Sequence, residues 1–386
     1  VRDVLYLAWR YLAFNRGKTA VLVGSITLIL FLPAALHMVV GGAAELLTDR
    51  AERTPLLLGA RGSPVDLTLA SLYFTEPAIE AIEYGDVEAL VSEGLASVIP
   101  LHVRYEVGNH RIVGTTSDYL SFRELEVREG RAFALLGEAV LGARAAEALQ
   151  VRPGGSVTST PAGAFDVAGT FPLRMTVVGV LAPTGTPDDD AVFVDLRTAW
   201  VIDGIGHGHD DVTELEPEED GVVVAGPTLL PYTEITPENI GSFHFHGNES
   251  EFPVDAAIVI PHDLRASTLL QGRYLDAERP VRLVAPLTVV DDLVDTMFSV
   301  RDAVFLVAVG LGIATTATAT LVMTLSIRLR RREIEAMKKI GVGRGRLAAI
   351  LATEVLGVIL AAVVLAGALT LLASRFGGAL LGWMTG

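Results

Sequence analysis

Four of the eight histidines of the chain fall in two short clusters, His207-Gly208-His209-Asp210-Asp211 and His244-Phe245-His246-Gly247. Imidazoles two positions apart lie on one face of a strand or chelate from a loop, so His207, His209, His244 and His246 are candidate ligands for one divalent ion. Imidazole nitrogen and carboxylate oxygen suit Zn²⁺, Ni²⁺ or Cu²⁺, and zinc is the ion expected. The same residues also read as a solvated loop with incidental histidines, because the first cluster opens a densely acidic run that reaches Asp220. Both readings stand at this level.

Other chemistry is disfavoured residue by residue. His207-x-His209-x-Asp211 approaches the ligand run of metallo-β-lactamase-like hydrolases, but Val212 occupies the position where a further histidine is needed. Asn15-Arg16-Gly17-Lys18-Thr19 ends like a phosphate-binding loop, yet the pattern needs glycine at position 12, which is Leu12, and a preceding strand. A serine nucleophile elbow is missing: Gly24-Ser25 sits in an apolar run, and Gly62-Ser63 is followed by Pro64-Val65. The chain has no cysteine, which removes disulfides, thiolate metal sites and cysteine nucleophiles. The formal net charge of −16 argues against nucleic acid as a partner. No enzyme activity is expected of this chain itself.

Any such site must be held by a chain of 386 residues that is 51% hydrophobic and only 20% charged. Residues 20–40, 303–327 and 347–373 form three long apolar runs whose only charged residue is Glu354. Each exceeds the ~20 residues that a helix needs to cross a bilayer core. The first run is too long, and starts too far into the chain, for a signal peptide. Residues 1–19 carry a net charge of +3 and residues 328–346 of +6, whereas residues 41–302 carry −25. The positive-inside rule puts the two short basic segments in the cytoplasm and the long acidic one outside. Within the second run Gly310, Ala314 and Thr318 place small residues four apart, a spacing that lets another helix approach closely.

The acidic segment mixes two periodicities. Residues 97–107, 111–115, 173–181, 191–194, 256–260 and 281–285 read as strands, and residues 76–93, 137–149 and 262–274 as helices. Gly108-Asn109 marks a hairpin turn. The expected fold class is an α-helical membrane protein with three spans and a large α+β extracytoplasmic domain inserted between the first and second, with helical stalks at 43–51 and 287–301.

This organisation resembles the MacB/FtsX-type permeases of bacterial ABC transporters. The resemblance is carried by Leu7-Ala8-Trp9-Arg10 with Asn15-Arg16-Gly17-Lys18-Thr19 before the first span. In the acidic segment it is carried by Ala139-Val140-Leu141-Gly142, Val178-Gly179-Val180 and Val192-Phe193-Val194-Asp195. After the second span, Arg332-Glu333-Ile334-Glu335-Ala336-Met337-Lys338-Lys339-Ile340-Gly341-Val342-Gly343 is similar to the family's coupling-helix segment. The resemblance implies domains at 1–19 (cytoplasmic amphipathic helix), 41–302 (outside), 328–346 (cytoplasmic coupling) and 374–386 (outside tail). The family's fourth span has no counterpart before Gly386, so a truncated sequence is expected, and Val1 in place of Met accords with that.

What the resemblance further implies is a permease subunit in the bacterial inner membrane. A separate cytoplasmic ATPase subunit would bind ATP, a second permease copy or paralogue would complete the pair, and a periplasmic partner would take part. Arg332, Glu333, Ile334, Met337, Lys338, Ile340 and Gly341 would couple to the ATPase, with Ile334, Met337 and Ile340 as an apolar stripe. A basic helix lying on lipid headgroups is the competing reading of that stripe. Two other functions remain open: a membrane-anchored regulator relaying ATPase state to an outside enzyme, and a metal-sensing receptor.

Overall fold

The computed structural model describes residues 2–76, 80–160, 172–208, 234–276, 278–329, 331–339 and 342–384. They form two compact units, Thr48–Asp291 on one hand and Val1–Leu47 with Asp292–Thr385 on the other.

The first unit is an α+β domain built on two main sheets. One is antiparallel, with strands in the order Val281–Val284, Leu56–Ala60, Ala256–Pro261 and Ala96–Leu101. The other is mixed, in the order Glu106–Val107, His110–Thr115, Val192–Asp195, Glu138–Leu141, Arg174–Leu181 and Val127–Gly130, with Ser156–Thr158 also on Arg174–Leu181. Alternation along the strands decides what each face covers. Leu57, Ile258 and Phe193 point into a core shared by the two sheets. Their neighbours Leu56, Leu58 and Val259 face a second cluster with Trp200, while Val192 and Val194 face a third with Ile202. The central strands are therefore apolar on both sides, which is why Val192-Phe193-Val194 reads as a continuous hydrophobic run.

Two sequence expectations change here. Residues 137–149 do not form one helix: Glu138–Leu141 is a strand between Val192–Asp195 and Arg174–Leu181, and the helix is confined to Ala143–Leu149. All four strand residues are buried, so coverage on both faces overrides the helix propensity of Glu, Ala and Leu. Residues 76–93 likewise contain a short strand, Ile82–Glu83, before the helix Tyr84–Ser92, and residues 77–79 lie outside the described ones. The turn at Gly108-Asn109 is present: Val107 pairs with His110, and Gly108 takes a φ of +62°.

The second unit is helical. Residues 20–40 lie in the helix Arg16–Glu52, residues 303–327 in Pro286–Leu329 and residues 347–373 in Arg344–Met384. Among the described residues these three helices are long and apolar enough to cross a membrane. Leu306 and Leu321 are each 72% exposed, and such apolar surface is costly in water. The short helix Arg2–Phe14 packs along Arg344–Met384, with Ala8 buried and Leu12 against Gly357. Thr27 donates to the Ala362 carbonyl at 3.3 Å, and Glu354 is buried.

Candidate functional site

The helix Arg16–Glu52 contains both the first apolar run and Arg50, whose side chain is held inside the α+β domain. Its guanidinium donates to Asp188 Oδ2 at 2.6 Å, to Asp188 Oδ1 at 3.0 Å and to the Tyr119 hydroxyl at 3.0 Å, and its Nε donates to the Leu72 carbonyl. Tyr119 donates in turn to Asp188 Oδ1 at 2.7 Å, Thr186 donates to Oδ2 at 2.9 Å, and Arg50 lies 5.6 Å from the centre of the Phe74 ring. Burial by itself would weaken the charge on both partners. The oxygens of Tyr119 and Asp188 outweigh it for Arg50, whose pKa is raised; for Asp188 the guanidinium and the two hydroxyls outweigh it and hold the carboxyl below its ordinary range. The helix end is also tied by Thr54, which donates to the Arg50 carbonyl at 2.9 Å and accepts from Arg123 at 2.9 Å.

Local sequence places Asp188. Gly142 ends the strand Glu138–Leu141, and a Cβ there would collide with the carbonyls of Asp188 and Asp189. Only glycine lets the turn Pro187–Asp190 come that close. Asp189 fixes the turn by accepting from the Thr184 and Gly185 amides, both at 2.8 Å, and Arg144 pairs with Asp190. The run Asp188-Asp189-Asp190 was the available signal for this clamp, but nothing local assigns each carboxylate its partner.

A second buried charge cluster joins the two sheets. His102 follows the strand Ala96–Leu101 of one sheet and bridges to Gly114 in the strand His110–Thr115 of the other. Its fully buried ring lies 2.8 Å from Asp203 Oδ2 and 3.3 Å from Asp255 Oδ2. The ring nitrogens lack well-aligned hydrogen bonds, so charge attraction is the larger part of these contacts. Asp255 also accepts from the Val103 amide at 2.6 Å and from Arg104 at 3.0 Å, and Tyr105 donates to Asp203 at 2.5 Å. Burial pushes the His102 pKa down and Arg104 adds to that, but the Asp255 and Asp203 carboxylates win and the net shift is upward.

Of the histidines singled out by spacing, His207, His244 and His246 stand together, while His209 lies outside the described residues. Arg332, Glu333, Ile334, Met337 and Lys338 lie on the helix Arg331–Lys339, which Arg331 and Glu335 brace by an ion pair at 3.3 Å; Ile340 and Gly341 lie outside the described residues. Gly310, Ala314 and Thr318 are exposed, and a Cβ at Gly310 would meet nothing within 4 Å. The covered side of that helix instead carries Ala308 and Gly312, the latter close to Ile29.

The sequence model of the MacB-like periplasmic core domain matches residues 19–225. The chain is similar to the periplasmic region of MacB from Actinobacillus actinomycetemcomitans at 13% identity, covering 64% of this chain and 97% of that one, with a TM-score of 0.36. It is similar to the extracellular domain of the noncanonic ABC-type transporter YknZ from Gram-positive bacteria at 14% identity, covering 59% of this chain and 98% of that one, with a TM-score of 0.32. No curated protein matches. Because the matched segment takes in more than half of the chain, from the first apolar helix through the strands that build the Asp188 turn, this protein belongs to the MacB/FtsX-type family of ABC-transporter permeases.

Proposed function

We propose that the chain is the permease subunit of a mechanically coupled ABC transporter. Residues 20–40, 303–327 and 347–373 cross the membrane, the N-terminus and residues 328–346 are cytoplasmic, and residues 41–302 lie outside. A separate cytoplasmic ATPase hydrolyses ATP, and paired permease subunits convert its closure into motion of the outside domains that exports or extracts a substrate. The observation that carries this reading is the grip on Arg50. A helix that contains the first apolar run ends in a buried ion pair, so displacement of the helix end has to move the domain or break that pair. The Leu141-Gly142 strand end, the Asp188 turn and the helix end then form one stiff connection.

Topology is testable because the chain has no native thiol. A cysteine at Leu264, which is 87% exposed, should react with an impermeant maleimide in intact spheroplasts, and one at Gly343 only after permeabilisation. Labelling in the opposite order would overturn the orientation.

Coupling is tested on the helix Arg331–Lys339. Ile334 and Met337 are three apart on this helix in sequence, and a carboxylate buried without a partner in the proposed ATPase interface costs ~3 kcal/mol or more. The double substitution Ile334→Asp with Met337→Asp should lower co-purification of the ATPase subunit at least ~10-fold while the melting temperature of the permease is unchanged. Retention of the ATPase at the wild-type level would favour the lipid-headgroup reading.

A further inference from the structure

We infer that His207, His244 and His246 form a binding site for a borderline divalent transition-metal ion, Zn²⁺ or a chemically similar ion, on the α+β domain. One ring nitrogen from each residue lies within 4.8 Å of the other two, and the ring centres are 4.7–4.9 Å apart. Around a tetrahedral ion at ~2.0–2.1 Å the nitrogens sit ~3.4 Å apart. Closing the difference takes ring rotation, and histidine rotates softly about its outer torsion.

The arrangement is imposed by the strand pairing. Gly206–His207 pairs antiparallel with His244–Phe245, setting His207 directly opposite His244 and Gly206 opposite Phe245. Alternation sends Phe245 to one face, where it packs edge-on against Trp200 with ring centres 6.5 Å apart. His244 is thereby turned to the other face, where His246 joins it. The glycines complete the pattern, since a Cβ at Gly206 would come within 2.6 Å of the Phe245 ring and one at Gly208 within 2.6 Å of the Phe243 ring. Gly-His-Gly against Phe-His-Phe-His therefore anchors the aromatic rings inward and gathers the imidazoles outward.

His244 Nδ1 lies 3.0 Å from the Ser242 carbonyl. A carbonyl oxygen only accepts, so Nδ1 carries the hydrogen and Nε2 is the nitrogen that would ligate an ion, the arrangement that supporting groups impose on ligating histidines. His246 is exposed and gives an ion access from solvent. Three imidazole nitrogens favour Zn²⁺, Ni²⁺ or Cu²⁺ over Mg²⁺ or Ca²⁺. The two strands share a ladder of only two residue pairs. A ladder that short is marginal by itself, so an ion bound by both strands would stabilise their pairing.

The test uses the full chain in detergent, purified without a polyhistidine tag and stripped with chelator. Co²⁺ titration should give about one equivalent of a low-coordinate visible spectrum, and Zn²⁺ should displace it. His207→Ala, His244→Ala and His246→Ala should each weaken uptake by at least ~10-fold, since losing even a supporting group costs a metal site ~10–100-fold. His262→Ala, an exposed histidine outside the cluster, should leave affinity unchanged. Zn²⁺ should also slow exchange of the His246 amide, which bonds to the Ile205 carbonyl at 3.2 Å. Equal uptake by the triple alanine variant and the wild type, or no uptake by the wild type below ~1 mM, would overturn the inference. Neither readout depends on ATPase coupling, so the transport reading stands or falls separately.

Discussion

Replacing Asp188 with alanine is expected to destabilise the α+β domain by ~3–5 kcal/mol, because it leaves the buried Arg50 guanidinium without its counter-charge. The Tyr119 hydroxyl and the Leu72 carbonyl remain, but neither carries a formal negative charge. For a domain of this size that loss lowers the melting temperature by ~6–20 °C. Removing both charges in Arg50→Met with Asp188→Leu should recover most of it, since a buried pair replaced by apolar groups is often nearly neutral. The double variant separates stability from the proposed coupling: with the domain refolded and the grip gone, the proposed ATPase partner should keep hydrolysing ATP without transport. Scanning fluorimetry of the single variants decides the first part. A drop below ~2 °C for Asp188→Ala would mean that Arg50 finds water, and the clamp would not be the stiff link proposed.

Raising the pH is expected to loosen the joint between the two sheets. His102 has a folded-state pKa above its unfolded value of ~6.5, so binding of its proton favours the folded state. The stability it contributes is fully present below ~6.5 and is lost as the pH rises through the raised folded value. His102→Asn removes the titrating group while keeping a polar side chain between Asp203 and Asp255. The stability difference between wild type and His102→Asn, measured by urea unfolding from pH 6 upward, should therefore be largest on the acid side and narrow on the alkaline side. A difference that is flat, or that widens with pH, would contradict a protonated His102. Arg104 and Tyr105 touch the same two aspartates and are retained in both proteins.

The family motifs acquire a physical meaning only on the strands. Ala139-Val140-Leu141-Gly142, Val178-Gly179-Val180 and Val192-Phe193-Val194-Asp195 lie on three adjacent strands of the mixed sheet. Gly142 admits the carbonyls of the Asp188 turn, and Gly179 admits the carbonyl of Arg131, where the neighbouring strand is irregular. In both places the glycine marks a close approach of backbone to backbone. The motif spelled out the resemblance, whereas its use, positioning the acid that holds a helix end, depends on which strand lies beside which.

The amino-acid sequence settles the properties that depend on short stretches of chain. Three apolar runs, the basic segments beside them, the hairpin turn at Gly108-Asn109 and the alternation that puts His244 and His246 on one side of Phe245 all follow from composition and period within a few residues. It also determined enough order among its motifs to place the chain in its family. The partners of buried charges are set only once the chain is folded. Arg50 meets Asp188 across 138 positions, and Asp255 reaches the Val103 amide across 152. Pattern within a window carries no information on pairings of that separation. The same limit explains the strand Glu138–Leu141, whose residues favour a helix locally and become a strand because neighbours on both edges and both faces bury it.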